Sequence, residues 1–171
     1  KERWQAEATG YINYIFNYIY LSPRGITETG RGPFTYYRYT QTDASFAGID
    51  ASLQNELTRN LSIRASASLL RAKDVTQNDF LIFIPSNRYD LSLRYESNKT
   101  TKRIFFAQAK LKYIAKQNRA PRVITVREII TDEQQGIDPF KDNSSNFDFM
   151  AAPDGYWLWS LAVGTSIKRD R

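Results

Sequence analysis

Alternation of apolar and polar side chains with a period of two residues runs through most of this chain and limits the folds open to it. In NRYDLSLRYE, the side chains of Tyr89, Leu91, Leu93 and Tyr95 alternate with polar and charged ones. Successive side chains of a β-strand point to opposite faces, so this pattern gives one apolar and one polar face. Helical spacing is weak and confined to REIITDEQQ, residues 127–135, where we expect a helical turn or two. The sequence therefore predicts an all-β fold.

The alternating segments predict about six antiparallel strands. We place them approximately at residues 8–21, 40–56, 60–73, 86–97, 103–117 and 156–168. Long loops join the strands at one end, and they comprise residues 22–39, 74–85 and 118–155. Tight turns join them at the other end. This arrangement is typical of an antiparallel up-and-down sheet.

The tight turns also predict how neighbouring strands are aligned. Residues 58–60 suit a three-residue turn with Asn60 in the left-handed conformation. Residues 98–102 suit a five-residue turn. This turn would place an aromatic residue opposite an aromatic one and an acidic residue opposite a basic one on the paired strands. The matched pairs are Tyr95 with Phe105 and Asp90 with Lys110.

Alternation alone leaves open which face meets water. A soluble barrel of the lipocalin type encloses its apolar face, whereas a transmembrane barrel turns that face outward. The segment 103–117 rises by about 3.3 Å per residue and so spans roughly 50 Å before tilt. Strands of soluble proteins usually have about five or six residues. This length favours a wall that crosses a bilayer.

The placement of aromatic residues also favours a membrane. Both interfaces of a bilayer select belts of aromatic side chains. We expect two lipid-facing belts, formed by Tyr95 and Phe105 near the tight turns and by Tyr18, Tyr20, Tyr113, Trp157 and Trp159 towards the long loops. The opposite face, which we assign to a wet or plugged lumen, carries Asn13, Asn17, Asp50, Arg64, Arg88, Asp90, Arg94, Lys110 and Lys112. The sequence thus predicts a transmembrane β-barrel segment, with a soluble β-barrel as the alternative.

The composition offers no sign of catalysis. Histidine and cysteine are absent, which excludes imidazole bases, thiolate nucleophiles and cysteine metal sites. DNSSNFD, residues 142–148, lacks the glycine and glutamate of an EF-hand calcium loop. The net charge of +6 comes from basic residues spread among acidic ones, without a nucleic-acid stacking motif. We expect no enzyme activity, no metal site, no cofactor and no nucleic-acid partner.

The first long loop holds the residues that we consider for ligand binding. Four of its residues are Arg24, Arg31, Tyr37 and Arg38. At the mouth of a barrel, they could hold an anionic or planar ligand. The alternatives are anchoring to anionic lipopolysaccharide and packing against neighbouring loops.

Three segments together resemble consecutive late strands of TonB-dependent outer-membrane receptors. They are GYINYIFNYIYL, YYRYTQTDASFAGID and APDGYWLWSLAVGT, and the resemblance extends over residues 8–167. The resemblance implies the barrel of that family, which has roughly 22 strands and is plugged by an N-terminal domain. This chain would supply about six of those strands, without the plug domain or the last pair of strands.

The family resemblance also implies a function. Such receptors lie in the outer membrane of Gram-negative bacteria and import scarce nutrients with energy from TonB. We therefore expect an active-transport receptor, with a ferric siderophore-type complex as its substrate. Its expected partners are membrane lipid, lipopolysaccharide, its own plug domain and TonB. The alternatives are a soluble β-barrel that binds a small apolar ligand or a carbohydrate, and a porin without a gate.

Overall fold

The computed structural model describes residues 4–97, 103–138, 140 and 146–167, most of them in one antiparallel sheet. The elements in chain order are β1 Trp4–Thr29, β2 Gly32–Glu56, β3 Leu61–Asp74, β4 Asp79–Phe80, β5 Arg88–Glu96, β6 Arg103–Ile114, β7 Arg122–Val123, α1 Val126–Gln134, β8 Phe147–Asp148 and β9 Tyr156–Ile167. The long strands pair in the order β1-β2-β3-β5-β6-β9. Each pairs antiparallel with the next, which confirms the predicted up-and-down sheet of about six strands.

The first two strands are longer than predicted. The predicted loop at residues 22–39 is wrong, because β1 and β2 stay paired as far as Thr29 and Gly32. The Thr29 hydroxyl closes the turn, since it donates to the Gly32 carbonyl and accepts from the Arg31 amide. The segment still alternates and is rich in Thr, Tyr and Ile, which favour strands. It therefore forms a β-hairpin arm, residues 22–39, where we expected a loop.

A β-bulge in β1 reverses the faces of the strand. The pairs Ile15–Ala44 and Tyr18–Thr42 leave Phe16 and Asn17 opposite a single residue of β2. Asn17 has a φ of 57°, and its amide donates to the Asp43 carboxylate at 3.0 Å. An extra residue on one strand shifts the later side chains to the other face.

The bulge corrects part of the predicted aromatic belt. Beyond it, Tyr18 and Tyr20 share a face with Thr42 and Thr40, and Tyr20 is only 8% exposed. Their assignment to the lipid-facing belt is therefore wrong. Ile19, which is 63% exposed, takes the outward position instead.

The turn between β2 and β3 confirms one prediction and corrects another. Residues 57–60 connect the two strands, and the last pair, Glu56–Ser62, is centred on residue 59, which confirms the predicted register. Asn60 does not adopt the left-handed conformation. Its side-chain amide instead donates to the Glu96 carbonyl at 2.6 Å, and the Thr58 hydroxyl accepts the amides that close the turn. Asn60 thus joins the turn to β5, a role that local sequence does not reveal.

The β5–β6 pair is shifted by two residues from the predicted register. Tyr95 pairs with Ala107 and Asp90 with Lys112, so the predicted partners Phe105 and Lys110 are wrong. Ser97 closes the hairpin through two bonds of 2.8 Å to the Phe105 backbone. Residues 98–102 of the predicted turn lie outside the described residues. The observed register places Lys112 Nζ 3.2 Å from Asp90 and stacks Tyr89 on Tyr113.

The sheet has one apolar face and one polar face, as the alternation predicts. One row across the apolar face runs Ala8, Ala51, Ala67, Tyr89, Tyr113 and Trp157. The adjacent row of the polar face runs Glu7, Ser52, Ser66, Asp90, Lys112 and Leu158. The apolar face lacks a covering layer among the described residues: Trp159 is 75% exposed and Leu161 71%.

The buried core is small and lies at the long-loop end of the sheet. Its members come from β1, β2, β3 and the loop after β4, and they are Tyr20, Ala44, Ala72, Leu81 and Ile82. The short helix α1 has one buried residue among those described, Ile129. Thr125 caps the helix by accepting from the Glu128 amide. No helix among the described residues is long and apolar enough to span a membrane.

Candidate functional site at the long-loop end

The last long loop is fixed to the sheet by a buried carboxylate. Asp74, at the end of β3, has no exposed surface. Its Oδ1 accepts from the Thr42 hydroxyl at 2.6 Å and from the Gln77 amide at 2.9 Å. Its Oδ2 accepts from the Asn146 side chain at 3.2 Å and from the Tyr20 hydroxyl at 3.4 Å. Three donors, together with the Tyr20 hydroxyl that Asp74 shares with Asn146, offset the desolvation of the buried carboxylate.

Asn146 is the loop residue at the centre of this network, and it is 3% exposed. It accepts from the Tyr20 hydroxyl at 2.7 Å and donates to the Phe80 carbonyl at 3.0 Å. Its backbone amide donates to Asp79 at 2.8 Å. β1, β3 and β4 therefore all hold the same point of the loop. The loop is positioned over the polar face of the sheet, which carries Tyr20 and Asp74.

The hairpin arm makes a second contact with the last long loop through two predicted residues. Arg24, at the second register shift of β1, donates to the Phe140 carbonyl at 3.3 Å and to Thr40 at 3.2 Å. The Tyr37 hydroxyl donates to Asp148 at 3.4 Å, and its ring lies edge-on to Phe149. Both side chains are half-buried. They hold the arm against the loop.

The structure separates the other two predicted ligand residues from this contact. Arg31 is exposed in the two-residue turn at the tip of the arm, and Arg38 is exposed along β2. The four residues Arg24, Arg31, Tyr37 and Arg38 therefore do not form one cluster. Arg24 and Tyr37 connect the hairpin arm to the last long loop, whereas Arg31 and Arg38 are exposed away from that contact.

A cavity of about 520 Å³ opens between the loop after β4 and the last long loop. Its lining combines an apolar run, Leu81 to Pro85, with Arg88 and Arg119, and the Arg88 guanidinium also donates to the Ser68 hydroxyl at 3.3 Å. Gln117 connects the two walls, because its side-chain amide donates to the Ile84 and Pro85 carbonyls. The cavity offers an apolar lining and two cations to a ligand that enters from the long-loop end.

Phe83 is the residue of this cavity that sequence reasoning missed. It has a φ of 59° and is 67% exposed. A bulky residue in the left-handed region costs roughly 1–2 kcal/mol, and such strain occurs often at binding sites. The only sequence signal is the apolar run FLIFIP in a segment expected to be a loop. From this run alone, the sequence does not show that Arg88 and Arg119 line the same cavity.

Two ion pairs join segments that lie outside the main sheet. Lys116 Nζ is 2.7 Å from Asp154, and this contact lowers the pKa of the Asp154 carboxyl. Arg122 is 2.6 Å from Glu128 and lowers the pKa of that carboxyl at the start of α1. Both shifts arise first from the hydrogen bond to the cation. These pairs align loop segments outside the sheet.

The five remaining belt residues lie on the apolar face. Tyr95, Phe105, Trp157 and Trp159 are exposed there, and Tyr113 is half-buried against the ring of Trp157. Their contact with lipid stays a prediction. Among the described residues, no group of three or more acidic side chains is arranged to hold a metal ion.

Comparisons with known proteins identify the same architecture. The family model described as TonB dependent receptor-like, beta-barrel, matches residues 1–170. Among solved structures, the copper transporter OprC matches with a TM-score of 0.62 and 22% sequence identity. The match covers 92% of this chain and 20% of OprC, so the chain spans about a fifth of that protein. At this identity the likeness shows the fold alone. Among curated proteins, none matches the chain.

Proposed function

This chain belongs to the TonB-dependent receptor-like β-barrel family, and we propose that it forms part of the wall of an outer-membrane receptor that imports a scarce nutrient with energy from TonB. The plug domain and the contact with TonB would lie outside this segment. Membrane lipid and lipopolysaccharide would surround its apolar face.

One observation carries this proposal: the loops cover the polar face of the sheet and leave the apolar face bare. Leu91, Leu93 and Leu161 lie on that bare face and are all exposed. A soluble barrel would seal these side chains in its core. In a bilayer the same face meets hydrocarbon, and the loops narrow a polar lumen. The arrangement therefore favours the receptor over the soluble alternative.

For the substrate we propose a metal carried in an anionic organic chelate, of the ferric siderophore type. The cavity at the mouth offers Arg88 and Arg119 to negative oxygens and the exposed ring of Phe83 to a planar group. Copper sites are built from imidazole, thiolate and thioether ligands. This segment has no His, no Cys and a single Met. It suits a chelated metal better than a bare copper ion.

The test is uptake of radiolabelled iron by cells that carry the whole receptor. Cells with TonB should take up a ferric siderophore, and the same cells without TonB should not. Replacing both Arg88 and Arg119 by Ala removes two charge-assisted hydrogen bonds, so the half-saturating concentration should rise at least about tenfold.

Arg127→Ala on the exposed side of α1 is the matched control and should leave uptake unchanged. Uptake of ferric chelate that is independent of TonB would contradict the transport mechanism. Uptake of ionic copper in place of the chelate would contradict the substrate class.

A further inference from the structure

We propose that the apolar face carries a binding site for the phosphorylated glycolipid of the outer leaflet, lipopolysaccharide, at the end of β3. The site consists of a groove for an acyl chain and two cations for phosphate. This inference rests on the proposed membrane position of the sheet, and it adds a lipid site that is separate from the substrate cavity.

The groove has a volume of about 730 Å³ and crosses β1, β2 and β3. Gly10 and Ala47 leave its floor low, while Ile12, Ile49 and Leu69 form its sides. All five residues lie on the apolar face. Such a shape fits a hydrocarbon chain lying against the wall, because small residues open a channel between larger aliphatic ones.

The two cations lie at the end of the groove nearest the long loops. Arg71 lines the groove and lies in the same row across the sheet as Ala47 of β2 and Ile12 of β1. Lys73 follows one row further along, opposite Ser45 and level with Tyr14. Both side chains are exposed on the face that otherwise meets hydrocarbon.

These two cations have few partners within the described part of the chain, so their charges are available to a ligand. Arg71 has no hydrogen-bond or ion-pair partner within the described part of the chain. Within the same part of the chain, the Lys73 ammonium contacts only the Asn78 side chain, at 3.5 Å. The nearest acid along β2 is Asp43, which accepts from the Asn17 amide. Two cations and one acid leave a net positive patch.

The position of the patch selects the lipid. Tyr14 and Phe16, whose ring centroids are 4.8 Å apart, mark the interface at the same level of the sheet. The long loops place this level at the outer leaflet. A phosphate at the interface would bind Arg71 and Lys73, while an acyl chain of the same molecule would fill the groove below. Lipopolysaccharide carries both groups.

The experiment measures lipid binding to the whole receptor in detergent by native mass spectrometry. The probes are lipopolysaccharide with its phosphates, the same material after enzymatic dephosphorylation, and phosphatidylglycerol. The variant Arg71→Gln/Lys73→Gln removes both cations. Arg59→Gln/Arg127→Gln removes two exposed cations away from the groove and is the matched control. Gly10→Leu fills the groove, and the site tolerates it because open space surrounds Gly10.

We expect the Arg71/Lys73 variant to bind intact lipopolysaccharide roughly thirtyfold more weakly. Each cation near the membrane surface contributes about 1 kcal/mol, and a loss of about 1.4 kcal/mol weakens binding about tenfold. Dephosphorylated material should bind the unaltered receptor just as weakly. Gly10→Leu should lower occupancy as well, while the control should not. Equal binding of all variants, or stronger binding of phosphatidylglycerol, would overturn the proposal.

Iron uptake separates this inference from the proposed function. If the lipid site is wrong, the variants will bind lipopolysaccharide normally while TonB-dependent uptake continues. If the proposed substrate transport is wrong, uptake will be absent while the Arg71/Lys73 variant still loses the lipid.

Discussion

At the scale of single residues, the fixed position of the mouth depends on one carboxylate. Asp74 sits between β1, β2 and the last long loop and accepts from all three. A buried carboxylate without donors would be costly, so its four partners and its position stabilise one another. Removing the carboxylate would leave Thr42 and Asn146 with unpaired polar groups.

We therefore expect Asp74→Ala to destabilise the packing of the last long loop by about 2–4 kcal/mol. Limited proteolysis of the purified receptor should show faster cleavage within residues 117–155. Asp50→Ala is the matched control, because Asp50 is exposed on the same face. The control should be cleaved at the rate of the unaltered protein. Equal cleavage rates for Asp74→Ala and Asp50→Ala would contradict this role.

The sequence predicts the faces of residues such as Leu91 and Leu93 but not the partners of Asp74. A two-residue period acts locally and needs no distant information. The Asp74–Asn146 contact joins residues 72 positions apart. Arg24 and Tyr37 were identified as residues of the mouth for their chemistry. Their contacts with Phe140 and Asp148 depend on how the loop folds.

At the scale of elements, the bulge in β1 decides which aromatic residues lie on the apolar face of the sheet. Asn17 adopts a φ of 57°, a conformation that Asn tolerates and β-branched residues resist. By turning Tyr20 inward, the bulge supplies the hydroxyl that reaches Asp74 and Asn146. The element thus connects a local backbone feature to the packing of the mouth.

Asn17→Val should destabilise the receptor by about 1–2 kcal/mol because of this backbone conformation. Asn13→Val, in regular strand geometry two pairs before the bulge, should cost less, since β-branched residues fit strands. Urea unfolding of the receptor in detergent micelles measures both changes. The bulge has no such role if the two variants prove equally stable.

The Arg122–Glu128 pair predicts a pH dependence for α1. Its hydrogen bond lowers the folded-state pKa of Glu128, so the pair stabilises the helix above the ordinary pKa of glutamate. This contribution is lost as the pH falls through the lowered value. The protection factor of the Ile129 and Ile130 amides, which is the exchange rate of an unstructured peptide divided by their own rate at the same pH, should therefore fall on acidification. In Glu128→Gln the protection factor should be lower at neutral pH, and the further fall in acid should be absent; an unchanged fall in this variant would assign it to another group.

Strand existence was predictable at this scale, whereas strand ends and register were not. Long alternating segments gave the six paired strands, because burial of one face dominates their conformation. The hairpin arm was missed, although the strand pairing continues past Pro23 and the glycines of this segment. The β5–β6 register was missed by two residues. Either register keeps the faces the same, so the hydrophobic pattern could not choose between them.

At the scale of the whole molecule, the account depends on the orientation of the sheet. The family assignment, the bare apolar face and the loops over the polar face all agree with a barrel wall whose lumen is polar. Substrate transport, lipopolysaccharide binding and the role of the mouth each require that orientation. A reversed sheet would make the groove at Arg71 part of a core and the substrate cavity part of an outer surface.

Spin labels on β5 measure this orientation most directly. The chain has no cysteine of its own, so single cysteines at Leu91, Ser92, Leu93 and Arg94 can be labelled selectively once any cysteine elsewhere in the receptor is replaced. In the receptor embedded in liposomes, labels at 91 and 93 should be relaxed by oxygen, which dissolves in hydrocarbon. Labels at 92 and 94 should respond more to a water-soluble nickel complex. Labels at 91 and 93 that neither reagent reaches, as in a sealed core, would contradict the account.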